Sequence, residues 1–256
     1  MNGSTRAILG KELKLFARDF GQALQLLLLI GICFIYLYNF QFLREHQDVT
    51  EVVMVWWRGL LVLANMCMGS FVITAVCSRF VYPAVSLEGH AYWLLASAPL
   101  DFKTFLRAKF RIWLLPVTLI AVVIFVSGAM AIDAPVQILA VTAALSCITA
   151  YGLTGLGVGL GALFVDFQWE NPAQLSASLG SLLYMLSSIA LTGANLLAAT
   201  LLILACILED FRSSVPIWIC YSLGLSAFIF VLWLNHTVAS WAMRNGEQAL
   251  LRLQKQ

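Results

Sequence analysis

Charge is what this chain has least of. Of its 256 residues only 11% are charged, against 61% hydrophobic, and the mean hydropathy is +0.90. Domains that fold in water carry about 25% charged and about 45–50% apolar residues. In water such a chain would expose apolar patches far beyond those of a soluble monomer, which excludes an ordinary soluble enzyme. Alternation of apolar and polar residues over about ten positions is also missing, and this excludes a transmembrane β-barrel. Histidine is scarce: His46, His90 and His236 fall on different sides or depths of the topology read below, so no three-histidine metal site is expected. The six cysteines (Cys33, Cys67, Cys77, Cys147, Cys206, Cys220) lie in or beside apolar segments without metal-ligand spacing, and they read as small apolar residues. There is no Gly-x-x-x-x-Gly-Lys-Ser/Thr loop to cradle phosphate. No serine stands in a Gly-x-Ser-x-Gly elbow, and no carboxylate pair lies in an apolar stretch. Neither a catalytic set nor a nucleic-acid partner is expected.

What is abundant is long apolar sequence. Residues 20–43, 52–77, 112–132, 136–165, 175–191 and 215–243 each approach or exceed the roughly 20 residues that cross a bilayer as a helix. The expected fold is therefore an all-α integral membrane protein, one six-span domain over residues 1–256. Pro116 falls early in the third span, and Pro135 and Pro216 open the fourth and sixth, where a missing N–H costs little. Ile132-Asp133-Ala134-Pro135 reads as a tight turn between antiparallel neighbours. Residues 175–208 would reach about 51 Å as one helix, against about 30 Å of hydrocarbon. A break at Thr192-Gly193-Ala194-Asn195, with a re-entrant segment inside 192–210, is expected; a tilted long helix is the alternative.

Residues 5–19 place Ile8, Leu9, Leu13 and Phe16 at helical spacing, with Arg6, Lys11, Lys14 and Arg18 elsewhere on the surface. They form either an amphipathic helix lying among headgroups or an extension of the first span. The first apolar run is too long for a signal-peptide core, so no signal peptide is expected. Lys and Arg placement gives the orientation. The N-terminus, 78–111, 166–174 and the C-terminal tail hold Arg6, Lys11, Lys14, Arg18, Arg79, Lys103, Arg107, Lys109, Arg111, Arg244, Arg252 and Lys255. The opposite connections hold only Arg44 and Arg212. By the positive-inside rule both termini are cytoplasmic.

Residues 78–111 are too apolar for a loose linker and too interrupted for a span. Ser86, Glu88 and Gly89 precede an amphipathic piece at 90–96. Asp101 is placed to cap a second short helix with Phe102, Phe105, Leu106 and Phe110 on one face and Lys103, Arg107 and Lys109 opposite. Either these helices present Glu88 and Tyr92 to a soluble partner, or the segment is a loop clamped to the membrane surface. In Phe167-Gln168-Trp169-Glu170-Asn171-Pro172, Asn171 and Pro172 suit the start of the fifth span. Asp166 and Glu170 there serve either capping and the helix dipole or docking to a partner. Gly155/Gly159 and Gly157/Gly161 in the fourth span are small-xxx-small pairs for close helix packing, and also a place where the helix could bend. Arg58, beside Trp56 and Trp57, either snorkels or attracts an anionic headgroup at an outer cavity. Asn65 and Asn195 serve helix packing first, and a translocation path second.

Taken together, Arg79-Phe80, Pro83, Ser86-Leu87-Glu88-Gly89, Trp93-Leu94-Leu95, Pro99 and Lys109-Phe110 resemble the cytoplasmic loop of membrane subunits of type II ATP-binding cassette exporters, in a bacterial exporter group. Residues 11–19 with Tyr36-Leu37-Tyr38-Asn39, and Phe167 through Pro172, resemble further parts of that group. The likeness covers most of the chain and is to the C-terminal half of permeases about twice as long. It implies an elbow helix at 1–19, a coupling helix in 78–111 and a re-entrant element before the last span. It further implies that Ser86, Leu87, Glu88, Gly89, Tyr92 and Trp93 meet a cytoplasmic ATP-binding subunit, with Glu88 making an ion pair. Asp166, Trp169 and Glu170 would form a second contact.

The expected function is thus the permease subunit of an ATP-driven exporter in the bacterial inner membrane, paired with a second permease copy or chain. No cofactor is expected in this chain, with ATP and Mg on the partner. Sparse intramembrane charge and aromatic-rich spans favour an amphipathic or lipid-like cargo. A membrane-embedded lipid-processing enzyme and a non-transporting scaffold are the alternatives.

Overall fold

The computed structural model describes residues 31, 38, 51–91, 101–210 and 217–254. The expected elbow, the first expected span apart from Gly31 and Tyr38, and residues Tyr92 and Trp93 lie outside them. The described elements are α1 (Glu51–Val76), a π-helical turn (Cys77–Val81), two 3-10 segments (Tyr82–Ala84 and Ser86–Ala91), α2 (Phe102–Ala131), α3 (Val136–Leu163), the short α4 (Pro172–Ser176), α5 (Leu179–Asp210) and α6 (Ile217–Gln254). Five helical stretches are long and apolar enough to cross a membrane: Gly59–Gly89, Phe102–Ala131, Val136–Leu163, Leu179–Leu204 and Tyr221–Leu253. The chain is a multi-pass membrane protein.

α3 is the centre. It is apolar on all sides, and every residue from Gly152 to Ala162 is buried. Its glycines let other backbones come close. A Cβ at Gly155 would sit 3.1 Å from Ala239 Cα, and one at Gly159 would sit 2.6 Å from Ala242 O. Further along α6, a Cβ at Gly246 would lie 2.6 Å from Gly159 O. These contacts advance together in number along both helices, so α3 and α6 run parallel. Gly157 and Gly161 face another neighbour: added carbons there would meet Val81 Cγ1 at 3.1 Å and the Tyr82 backbone. The two small-residue pairs therefore serve two contacts, and α3 is one continuous helix through them.

The turn after α2 forms as expected. Ala134 N donates to Ala129 O at 3.1 Å and Asp133 N to Met130 O at 3.0 Å, with Asp133 at φ 53°. This is a Schellman closure with Asp at the left-handed position, where its short polar side chain is tolerated.

Three expectations are corrected. The separate helix at 102–110 and the third span are one helix, because Phe105, Leu106, Ala108 and Lys109 continue the buried face that includes Val117 and Ala121. Asp101 is its N-cap by backbone only, with no side-chain cap bond. The fifth span is likewise not broken at 192–195, since α5 is one helix from Leu179 to Asp210 and no re-entrant segment forms within it. The polar residues that suggested a break are accommodated in the bundle: Thr192 is buried, while Asn195 is paired face to face with Asn235 of α6. Asn235 Nδ2 donates to Asn195 Oδ1 at 2.7 Å, and Asn195 Nδ2 returns a bond to Asn235 Oδ1 at 3.3 Å. Finally, residues 77–84 are not a loop. They continue α1 through a helical path that first loosens into a π turn and then tightens into a 3-10 turn, and that is buried except at Arg79.

Candidate functional site

The 3-10 segment Ser86–Ala91 lies at the bundle end shared by the start of α2, the end of α3 and the start of α5, and side chains from two directions hold it. From α2, Lys109 Nζ reaches Glu88 Oε1 at 2.7 Å and donates to Ala84 O at 3.0 Å. Both side chains are nearly sealed, 2% and 4% exposed, and the ammonium also stands 5.6 Å from the Phe105 ring centroid. From the connection after α3, Trp169 Nε1 donates to Ser86 O at 2.8 Å, and Asp166 N donates to Ser86 Oγ at 3.2 Å. Between these clamps Gly89 adopts φ 49°, ψ −132°, a conformation that L side chains rarely enter, under the Trp169 indole.

The two segments singled out in the sequence thus form one platform, although about 80 residues separate them along the chain. Ser86, Glu88 and Gly89 are buried in it, Leu87 and Trp169 are half-buried, and Asp166 and Glu170 are exposed. Glu88 is not held out toward a soluble partner, because its carboxylate is inside, on Lys109. Lys109 in turn is not on the charged face of α2. The spacing carried that signal: Lys103, Arg107 and Arg111 recur every four residues on one stripe, and Lys109 falls off it, toward Phe102 and Phe105. Asp166 Oδ1 accepts from Gln168 N at 2.8 Å, and Asn171 Oδ1 accepts from Ala173 N at 3.0 Å. Asn171 caps only the short α4, and α5 begins later, at Leu179. Trp169→Phe keeps most of the packing and removes the indole donor. It should cost about 1 kcal/mol of unfolding free energy in mixed micelles.

Of the other singled-out residues, the two asparagines each tie a pair of helices. Asn65 is buried, and its Nδ2 donates to Phe125 O at 2.9 Å, tying α1 to α2. Asn195 ties α5 to α6, and Arg58 lies on α1, its side chain outside the described residues. Among the described residues no three His, Cys, Asp or Glu side chains are grouped as a metal site would require.

A family model described as "Putative ATP-binding cassette" matches residues 1–254. The chain belongs to this family. No curated protein and no solved structure matches it. Within this member, at least five helices are of membrane-spanning length and composition, and the sequence has no phosphate-cradling glycine loop.

Proposed function

We propose that this chain is the membrane-spanning subunit of an ATP-driven exporter, coupled to a separate ATP-binding subunit through the platform at residues 86–91 and 166–170. The observation that carries the reading is the double clamp on Ser86–Ala91. A push on this turn is passed to α2 through Glu88–Lys109 and to the end of α3 through Trp169 and Asp166. A surface loop without such ties would absorb the motion. Glu88 then acts inside the chain as a stiffener, while Leu87, Asp166 and Glu170 form the contact face. ATP and Mg are held by the partner, consistent with the missing phosphate loop. Nucleotide-driven closure of two partners would bias two such bundles between alternative packings, which is alternating access. The excess of Lys and Arg at the platform end supports its placement on the cytoplasmic side of the bacterial inner membrane, with both termini there.

The test is co-purification from membranes with the ATPase encoded beside it. A phosphate-loop ATPase should elute with the chain, and Leu87→Asp/Glu170→Arg should release it while leaving the chain's own elution unchanged. A chain that elutes alone, or a complex indifferent to the double substitution, would overturn the coupling role.

A further inference from the structure

α2 carries two chemistries on one stripe. Lys103, Arg107 and Arg111 recur every four residues and are exposed; the same four-residue step continues through Leu115, Leu119 and Val123, which are 72%, 63% and 55% exposed. The cationic half borders a cavity of about 450 Å³ between α2, α3 and α6, to which α6 adds Arg244. Its floor is aromatic. Tyr151 Oη and His236 Nδ1 are 3.2 Å apart with their rings stacked, and Phe110 meets Tyr151 edge-on at 5.2 Å between centroids. Four cations face a single carboxylate, Glu247, and none of the four is in an ion pair with a described residue. The apolar half lines a second, open groove of about 610 Å³, and Arg111 borders both.

We infer that these joined grooves bind one anionic phospholipid, its phosphate among Arg107, Arg111 and Arg244 and an acyl chain along Leu115, Leu119 and Val123. The dimensions agree. From Arg111 to Val123 a helix rises about 18 Å, close to the roughly 15 Å depth of one hydrocarbon leaflet. Uncompensated cations around a cavity repel one another, and a phosphodiester supplies the missing charge with acceptor geometry that arginine matches in a bidentate manner. A free phosphate would satisfy the cations but leave the apolar groove unexplained. The inference does not rest on the exporter reading, because its readout is lipid retention and involves no ATPase.

Native mass spectrometry of the detergent-purified full chain, offered phosphatidylglycerol and phosphatidylcholine with identical acyl chains, tests it. Phosphatidylglycerol should be retained at least tenfold over phosphatidylcholine. Each arginine removed should lower that preference about fivefold, so Arg107→Gln/Arg111→Gln/Arg244→Gln should abolish it. If the triple variant does not elute as a single species, Arg111→Gln alone carries the test through its fivefold drop. Arg252→Gln, exposed near the end of α6 and outside the cavity lining, should leave the preference unchanged. Equal retention of the two lipids, or an equal loss in Arg252→Gln, overturns the site. So does protection against thermal unfolding by inorganic phosphate alone that matches protection by phosphatidylglycerol, which would show a plain anion site.

Discussion

Lys109→Met should lower the unfolding free energy by about 3–5 kcal/mol, because it strands the Glu88 carboxylate in a sealed site without its counter-charge. The substitution conserves length and apolar stem, so the loss reports charge pairing more than packing. Ala84 O loses its donor as well, which adds to the effect. Combining Lys109→Met with Glu88→Gln should recover a large part of the loss, since no charge then remains buried. Reversible unfolding in mixed micelles over the full double-mutant cycle gives the coupling. Additive single effects would show that the two side chains do not act as a pair. Transport assays add a functional readout. If Glu88 stiffens the platform, the double variant should still bind the ATPase yet hydrolyse ATP with weakened coupling to export.

The second large effect comes from the seam between α3 and α6. Gly159→Ala should cost about 2–3 kcal/mol, because the new carbon meets the Ala242 backbone, and backbone has no rotamer by which to withdraw. The identical change at Gly193, with nothing within 4 Å, should be neutral or stabilising by up to about 1 kcal/mol, as alanine is the better helix former. Melting both variants in one detergent separates a packing glycine from an incidental one. Equal melting temperatures would contradict the parallel seam.

Much of this was legible in the sequence because bilayer length and apolar runs constrain helices strongly. The turn at Asp133, the exposed stripe of Lys103 and Arg107, and the small-residue pairs of α3 all follow from local spacing. What escaped were features set by partners far along the chain. Asn195 looks like a helix break when read with Thr192 and Gly193, since nothing local announces Asn235 as its counterpart. Lys109 counts as one more cytoplasmic cation until Glu88 is seen across from it. The joining of residues 102–110 to the third span was missed because Asp101, Lys103 and Arg107 suggested a surface helix, while the buried face beneath them continued uninterrupted. Segment 86–91 and segment 166–170 were each visible as contact candidates. Their union through Trp169 and Ser86 required the fold.

The parallel seam has a consequence for how the molecule is made. A helix and its immediate successor in a membrane chain emerge in opposite directions, so α3 cannot find its glycine-matched companion in the next segment to be threaded. It must wait for α6, which is threaded after α5, and until then its notched side lacks that partner. A chain truncated before residue 217 should therefore thread its earlier helices into the bilayer but leave that side of α3 open, a recognisable target for quality-control proteases.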